Sequence, residues 1–344
     1  MRIATYNVEW FNALFDDEGG LLEDGEWSAR QDVTRADQLT ALGIVFTAMD
    51  ADAVMVIEAP DDNRKRSTVR ALETFAQTYG LRARRALLGF RNDTQQEIAL
   101  LYNPDVIAAE HDPWGEETGK KGARDAPRFD STFRFDIDAD ADPEAITFSK
   151  PPLEARLALH ETGRVLRLIG VHVKSKAPIG ATTPDEVMRL AIQNRRKQLA
   201  QCVWLRQRVD QVLAADESLI VLGDFNDGPG LDEYEKLFGR SGLEIVLGED
   251  GKKRLHDPHA RLALGRRVGA MPVTARFYVH QEHRYLQALL DYVMLSPDLC
   301  AADPRWRIWH PFDDPVCYHT PELREALLTA SDHFPVSVDL DLTG

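Results

Sequence analysis

Apolar runs with the composition of buried strands are interrupted or bordered, again and again along this chain, by a residue able to do chemistry. Asn7 and Glu9 follow the opening run Arg2-Ile3-Ala4-Thr5-Tyr6, and Glu58 ends Val54-Met55-Val56-Ile57. His172 lies inside Ile169-Gly170-Val171-His172-Val173, and Asp224 and Asn226 end Leu219-Ile220-Val221-Leu222. Asp291 follows Leu289-Leu290, and Asp332-His333 precedes Phe334-Pro335-Val336. A buried carboxylate is costly unless it is paired or metal-bound, and the strand ends of a central sheet are where the sites of α/β proteins gather. Taken singly, each has an ordinary alternative. Asn7 is a turn former, Glu58 an acid paired within Arg64 to Arg66, His172 a satisfied core histidine, Asp291 the start of a strand and Ser331-Asp332-His333 a cap. Gly-Asp-Phe-Asn-Asp-Gly likewise reads as a tight turn. Repetition in one chain favours a common site.

Short β-type runs alternate with amphipathic helical stretches, so the class is α/β or α+β. Ala53–Ile57 is continuously apolar, as in a strand covered on both faces. Arg64–Tyr79 reads as a helix closed by Gly80, and Glu97–Tyr102 as a strand stopped by Asn103-Pro104. Val165–Val173 is a long strand. Thr183-Pro184-Asp185-Glu186 opens a helix with a hydroxyl cap, proline and first-turn acids, and periodicity carries it to about Ala214. Leu219–Leu222, Leu289–Leu295 and Val336–Leu342 complete the expected strands. No repeat or linker divides residues 1–344, which read as one domain with insertions near 105–150 and 248–285. Both are candidate substrate-facing segments, with variable surface loop the alternative. The second holds His256, His259, His280 and His283, whose spacing has no compact ligand pattern, and they are expected to stay away from the site.

Charge limits the partners. The formal net charge is −15 over 344 residues, whereas a protein that coats long nucleic acid carries a broad basic face. Any basic surface is therefore local: Arg64 to Arg66, Arg82 with Arg84 and Arg85, or Arg195 to Lys197. A hydrophobic fraction of 44% excludes general disorder. Cys202, Cys300 and Cys317 lack CxxC spacing, which argues against a disulfide framework or structural zinc; Cys202 sits on an apolar stripe. No apolar run approaches the roughly 18–20 residues of a membrane helix, and the first residues lack signal-peptide features. A cytoplasmic protein with no membrane span and no evident obligate protein partner is expected.

The residue types point to phosphoryl transfer. Carboxylates such as Glu58 and Glu9 are hard oxygen ligands suited to Mg²⁺ or Mn²⁺. Such an ion neutralises phosphate oxygen and developing alkoxide. Asp224 suits orientation of an attacking water, and Asn226, two residues on, shares its side of an extended strand. Histidines can hold phosphoryl oxygens or protonate a leaving group. Asp291 beside His333 would raise that histidine's basicity and fix its ring.

In this order the segments resemble the endonuclease/exonuclease/phosphatase superfamily. They are Thr5-Tyr6-Asn7-Val8-Glu9-Trp10, Val56-Ile57-Glu58, Leu100-Leu101-Tyr102, Val171-His172-Val173-Lys174-Ser175, Gly223-Asp224-Phe225-Asn226, Leu290-Asp291-Tyr292-Val293 and Ser331-Asp332-His333-Phe334-Pro335-Val336. The resemblance implies a four-layer α/β sandwich, with two packed mixed sheets flanked by helices as in deoxyribonuclease I-like proteins. It implies Glu58 as principal metal ligand with Asn7, Glu9 and Asp332 around it, and Mg²⁺ or Mn²⁺ as the ion. Asp224 and Asn226 would position water and phosphate, Asp291 would pair with His333, and His172 would be a second histidine of the deoxyribonuclease-like type. Asn7, Tyr102 and Asn226 would contact substrate. Ile57 departs from the family's usual Gln before the metal-binding glutamate. Lys150-Pro151-Pro152-Leu153-Glu154-Ala155-Arg156 resembles a bacterial segment in which an arginine or its neighbours face the phosphate. The implied activity is a nuclease-type phosphodiesterase. A phosphatase or phosphodiesterase on a nucleotide, lipid headgroup or sugar phosphate is the alternative, and a non-catalytic binding module a third reading.

Overall fold

The computed structural model describes residues 1–136, 143–228, 238–249, 253–265, 271–279 and 283–342; His280 lies outside them. One sheet holds six strands: β1 (Arg2–Asn7), β2 (Ala53–Pro60), β3 (Arg85–Leu88), β4 (Gln96–Tyr102), β14 (Arg305–Ile308) and β15 (Val336–Asp339), in the order β14-β15-β1-β2-β4-β3. The other holds five: β5 (Ile107–His111), β8 (Leu153–Leu159), β9 (Val165–His172), β10 (Leu219–Asp224) and β13 (Asp291–Leu295), in the order β13-β10-β9-β8-β5. Both are mixed, with β1–β2 and β9–β10 parallel and their other pairs antiparallel. Two ribbons pair β6 (Phe133–Phe135) with β7 (Glu144–Ile146) and β11 (Ala275–Val279) with β12 (Arg284–Ala288).

The period of two along each strand sorts side chains into layers. Ile3, Met55, Ile57 and Leu100 of the first sheet face Leu157, Leu168, Leu222 and Val293 of the second, making the inter-sheet core. Their neighbours Ala4, Val54, Val56 and Leu101 pack outward on α1 (Arg35–Met49), α2 (Thr68–Thr78) and α7 (Pro321–Ala330). Ile169, Val171 and Val221 pack on the opposite face against α3 (Pro184–Ala214), α4 (Gly242–Leu247) and α5 (Pro258–Gly265). A short α6 (Pro315–His319) leads into α7. The result is the expected helix–sheet–sheet–helix sandwich. Among the described residues no helix is long and apolar enough to cross a membrane.

Local sequence explains most boundaries. Thr183 and Glu186 form a capping box on α3, and Gly80 (φ 62°) closes α2 as its N–H bonds the Gln77 carbonyl while Leu81 N–H bonds that of Ala76. That helix starts later than periodicity suggested, at Thr68 behind the Ser67 cap. Arg66 holds the preceding turn as a loop, donating to the Asn12, Phe15 and Asp16 carbonyls and to Asp61. The strand expected from Leu289 begins at Asp291, and the one from Val336 ends at Asp339. Part of the 105–150 stretch is framework rather than insertion: β5 is an edge of the second sheet, and Phe129, Phe133 and Phe148 ring Trp204 of α3. His256 bonds the Leu295 backbone and packs edge-on against Trp306, so it stays away from the site as expected.

Two glycines allow close approach, Gly170 between the sheets and Gly223 between the neighbouring strands β9 and β10. A Cβ on Gly223 (φ 134°) would sit 2.1 Å from the Val171 carbonyl oxygen, whereas one on Gly170 would sit 2.3 Å from the Met55 sulfur. Backbone cannot give way but a methionine can. Gly223→Ala should therefore cost about 3 kcal/mol or more, from strain added to overpacking, and Gly170→Ala only about 1–2 kcal/mol. Urea denaturation of the two variants checks this; equal losses would contradict it.

Candidate active site

The site grows out of the inter-sheet core. Asp224 pairs in register with His172 on one side and Asp291 on the other, and all three have the parity of inward-facing Leu222, Gly170 and Val293. Asn7 shares the parity of Ile3 on β1. Thus the row that would continue the apolar stack is polar instead. Glu58 has the opposite parity and would face the helices in a regular strand. A β-bulge between Ile57 and Ala59 makes Glu58 the extra residue at φ 62°, and such a bulge re-aims a side chain.

These groups bond to one another across the sheets. Asn7 Nδ2 donates to Asp224 Oδ2 at 3.1 Å. Asn226 (φ 48°) donates its backbone N–H to Asp224 Oδ1 at 2.7 Å and its side-chain amide to Asp224 Oδ2 at 3.2 Å. His172 Nε2 lies 3.5 Å from Asp224 and 3.9 Å from Glu58. His333 Nδ1 donates to Asp291 Oδ2 at 2.7 Å. The last two elements are tied in by hydroxyls. Ser331 Oγ donates to the Asn7 carbonyl at 2.8 Å and accepts from the N–H groups of Glu9 and His333. Thr274 Oγ1, at the root of the β11–β12 ribbon, accepts from Leu290 and Asp291 N–H at 2.9 and 3.0 Å. Arg276 N–H donates to the Asp332 carbonyl at 2.7 Å, so this ribbon clamps both members of the Asp291–His333 pair.

Burial and mutual charge set the protonation states. Burial pushes the Asp224 carboxyl up to about 7, against the pull of His333. Burial also pushes Glu9 up to about 7, with the charge of Asp332 adding to it, and raises Glu58. His333 is held well above its usual value: burial opposes its charge, but Asp291, Asp332 and Asp224 outweigh that. His172 falls well below, through burial and then the charges of Lys150 and His333. Two histidines of opposite state therefore share one site.

A small hard cation fits the donors present. The charges of Asp332 and Glu58 disfavour that of Glu9, and the charge of Asp332 disfavours that of Glu58, which is what a bound cation relieves. Asn7 Oδ1 is a buried acceptor without a hydrogen-bond partner. Among the described residues no three His, Cys, Asp or Glu side chains form a metal cluster.

The structure thus gathers Asn7, Glu9, Glu58, His172, Asp224, Asn226, Asp291, Asp332 and His333. Tyr102 is not with them: it pairs with Ala53, at the end of β2 away from Glu58, roughly 16 Å along the strand. Arg156 pairs with Glu110 instead of facing the group. Lys150, at the other end of that segment, does reach it, with Nζ 3.2 Å from His172 Nδ1. Sequence reasoning also missed Arg30, which binds Glu9, and Gln96, whose amide binds Glu58 from β4. No local signal marks either one.

Comparison with known proteins gives a consistent frame. Residues 4–333 match the model of the Endonuclease/Exonuclease/phosphatase family. The chain belongs to that family, whose members are phosphoester hydrolases. No curated protein matches it. Among solved structures, TDP2 from Caenorhabditis elegans superposes with a TM-score of 0.52 at 12% identity, covering 98% of this chain and 74% of that one. A truncated form of the same nematode protein gives 0.51 at 13% identity, covering 98% and 96%. These show a shared fold.

Thr274→Val removes the acceptor for two buried N–H groups and should cost about 1–3 kcal/mol or more. Activity should fall with it as Asp291 loses its anchor, and Thr274→Ser should restore both. A stable, fully active Thr274→Val would show that the ribbon does not position the pair.

Proposed function

We propose that this member of the family is a divalent-metal-dependent, nuclease-type phosphodiesterase that breaks a P–O bond with an activated water. The observation that supports it most is the convergence of Asn7, Glu58, His172, Asp224, Asp291 and His333 from separate strand ends onto one polar row. Glu58, with Asn7, Glu9 and Asp332 around it, would hold Mg²⁺ or Mn²⁺. Bound there, the ion supplies charge neutralisation at a non-bridging phosphoryl oxygen and at the leaving oxygen.

The remaining chemistry belongs to side chains. Asp224, fixed by amides of Asn7 and Asn226, orients the water and takes its proton as the oxygen attacks phosphorus. Lys150 donates to His172 Nδ1, so the neutral ring carries its proton on Nε2, directed at Asp224. His172 thereby steadies the base. His333, charged through Asp291, faces the phosphoryl group as the proton-bearing partner and can protonate the leaving oxygen as the P–O bond breaks. Asn226 contacts the phosphate. The net charge of −15 is the observation that favours the second reading, a small phosphoester, although a cleft can be locally basic on an acidic protein. All three cysteines are unpaired, which supports a reducing, cytoplasmic setting.

The test is hydrolysis of DNA, RNA, bis-p-nitrophenyl phosphate and p-nitrophenyl phosphate by protein stripped of metal with EDTA, with and without added Mg²⁺ or Mn²⁺. Metal-dependent cleavage should fall about 10²–10⁴-fold in His333→Ala or Asp224→Ala. Folded variants with undiminished turnover would refute these roles. Metal affinity should also depend on pH. A Glu9 carboxyl that titrates near 7 is protonated below that pH and cannot ligate, so Mn²⁺ binding weakens as pH falls. Calorimetry should find binding about tenfold tighter at pH 8 than at pH 6; a flat profile would remove Glu9 from the ligand set.

A further inference from the structure

On this acidic chain most cations of the sequence's basic clusters already have carboxylate partners. Arg82 pairs with Asp50 and Asp52, Arg84 with Asp105, Arg85 with Glu73 and Arg66 with Asp61. Lys150, Lys174 and Lys197 differ: among the described residues none of them has a carboxylate within ion-pair distance. They lie in sequence away from the catalytic row. Lys150 Nζ is 3.2 Å from His172. Lys174 follows His172 in the chain, and its backbone is pinned to α3, its N–H donating to Gln201 at 2.9 Å and its carbonyl accepting from Gln198 at 3.1 Å. Lys197 immediately precedes Gln198. Burial lowers Lys150, opposed by the charges of Glu58 and Asp224 and helped by that of Lys174, and burial with the charge of Lys197 lowers Lys174. Lys174 therefore stands between two like charges, Lys150 on one side and Lys197 on the other, a cost that a bound polyanion would relieve.

A second feature lies on the Glu9 side of the site. Trp10 adopts φ 58°, a left-handed conformation that a bulky residue rarely takes. Its Nε1–H donates to Glu9 Oε1 at 3.1 Å, and the residue is 40% exposed. Strained backbone of this kind clusters at ligand clamps, and an exposed ring at a phosphoesterase site is a stacking platform for any base, provided the base is unpaired.

We propose that the cleft takes a single-stranded polynucleotide, with Lys150, Lys174 and Lys197 holding phosphates beside the scissile one and Trp10 stacking on an unpaired base. This rests on the phosphodiesterase reading and names its substrate class. A small phosphoester would leave Lys197 and Trp10 without a role, and a duplex would keep its bases from the ring.

The test separates binding from turnover. Fluorescence anisotropy of a labelled single-stranded oligonucleotide, in EDTA so that nothing is cleaved, is measured across salt concentrations. Bis-p-nitrophenyl phosphate hydrolysis in Mn²⁺ is followed in parallel. The Lys174→Gln/Lys197→Gln double variant should bind the oligonucleotide at least tenfold more weakly. Its log–log salt slope should shrink by about 1.4, at about 0.7 for each lost single-strand phosphate contact. Its hydrolysis of the small diester should stay within twofold. Trp10→Ala should weaken the single strand and leave duplex binding unchanged, and Trp10→Phe should retain single-strand affinity. Unchanged oligonucleotide binding in the double variant, a wild-type preference for duplex, or diester hydrolysis without any oligonucleotide binding would each overturn the proposal. Failure to hydrolyse any diester would instead strike the phosphodiesterase reading, while the anisotropy would still decide the lysine and tryptophan roles.

Discussion

Two polar contacts join the sheets where the apolar stack between them ends. Asn7 of β1 donates to Asp224 of β10 at 3.1 Å, and His333, just before β15, donates to Asp291 of β13 at 2.7 Å. Asp224 and Asp291 are each only 2% exposed, so neither carboxylate has water to fall back on. Breaking such a buried pair is far more costly than never having made it. Below this row the same positions carry Ile3, Met55, Leu222 and Val293. The fold and the site therefore share a cause: one alternation pattern fills the sandwich with hydrocarbon and, at its end, presents the groups that do chemistry.

Three backbone exceptions fall at the same place. Glu58, Trp10 and Asn226 have positive φ, and Gly223 sits where no side chain fits. Positive φ elsewhere falls often on aspartates such as Asp50 and Asp216, which visit the left-handed region at little cost. For glutamate and tryptophan the cost is greater, on the order of 1–3 kcal/mol each, and it persists because the surroundings over-determine the conformation. At Glu58 the bulge turns that cost into direction, aiming a carboxylate at Asn7 and His172 that a regular strand would have aimed at the helices.

Much of this was legible in the sequence because it is local. Thr183-Pro184-Asp185-Glu186 announces α3, Gly80 announces the end of α2, and each catalytic candidate interrupts or borders an apolar run whose length marks a strand. What was hidden depends on long-range pairing. Lys150 stood out only as a neighbour of Arg156 in its segment, and it reaches His172 because β8, the strand it leads into, lies beside β9. Gln96 reaches Glu58 through β4, and Thr274 reaches Asp291 through a ribbon in a stretch that read as a substrate-facing insertion or a variable loop. Tyr102 failed in the opposite way. Its place in the motif order suggested proximity, but β4 runs antiparallel to β2 and carries its C-terminal residue away from the site.

The metal centre proposed around Glu58 is the claim on which the chemistry stands, and anomalous scattering from crystals soaked in Mn²⁺ tests it most directly. The prediction is a peak within about 2.2 Å of a Glu58 carboxylate oxygen, bordered by Asn7, Glu9 or Asp332 and lost in Glu58→Gln. A peak elsewhere, or none at saturating Mn²⁺, would contradict it.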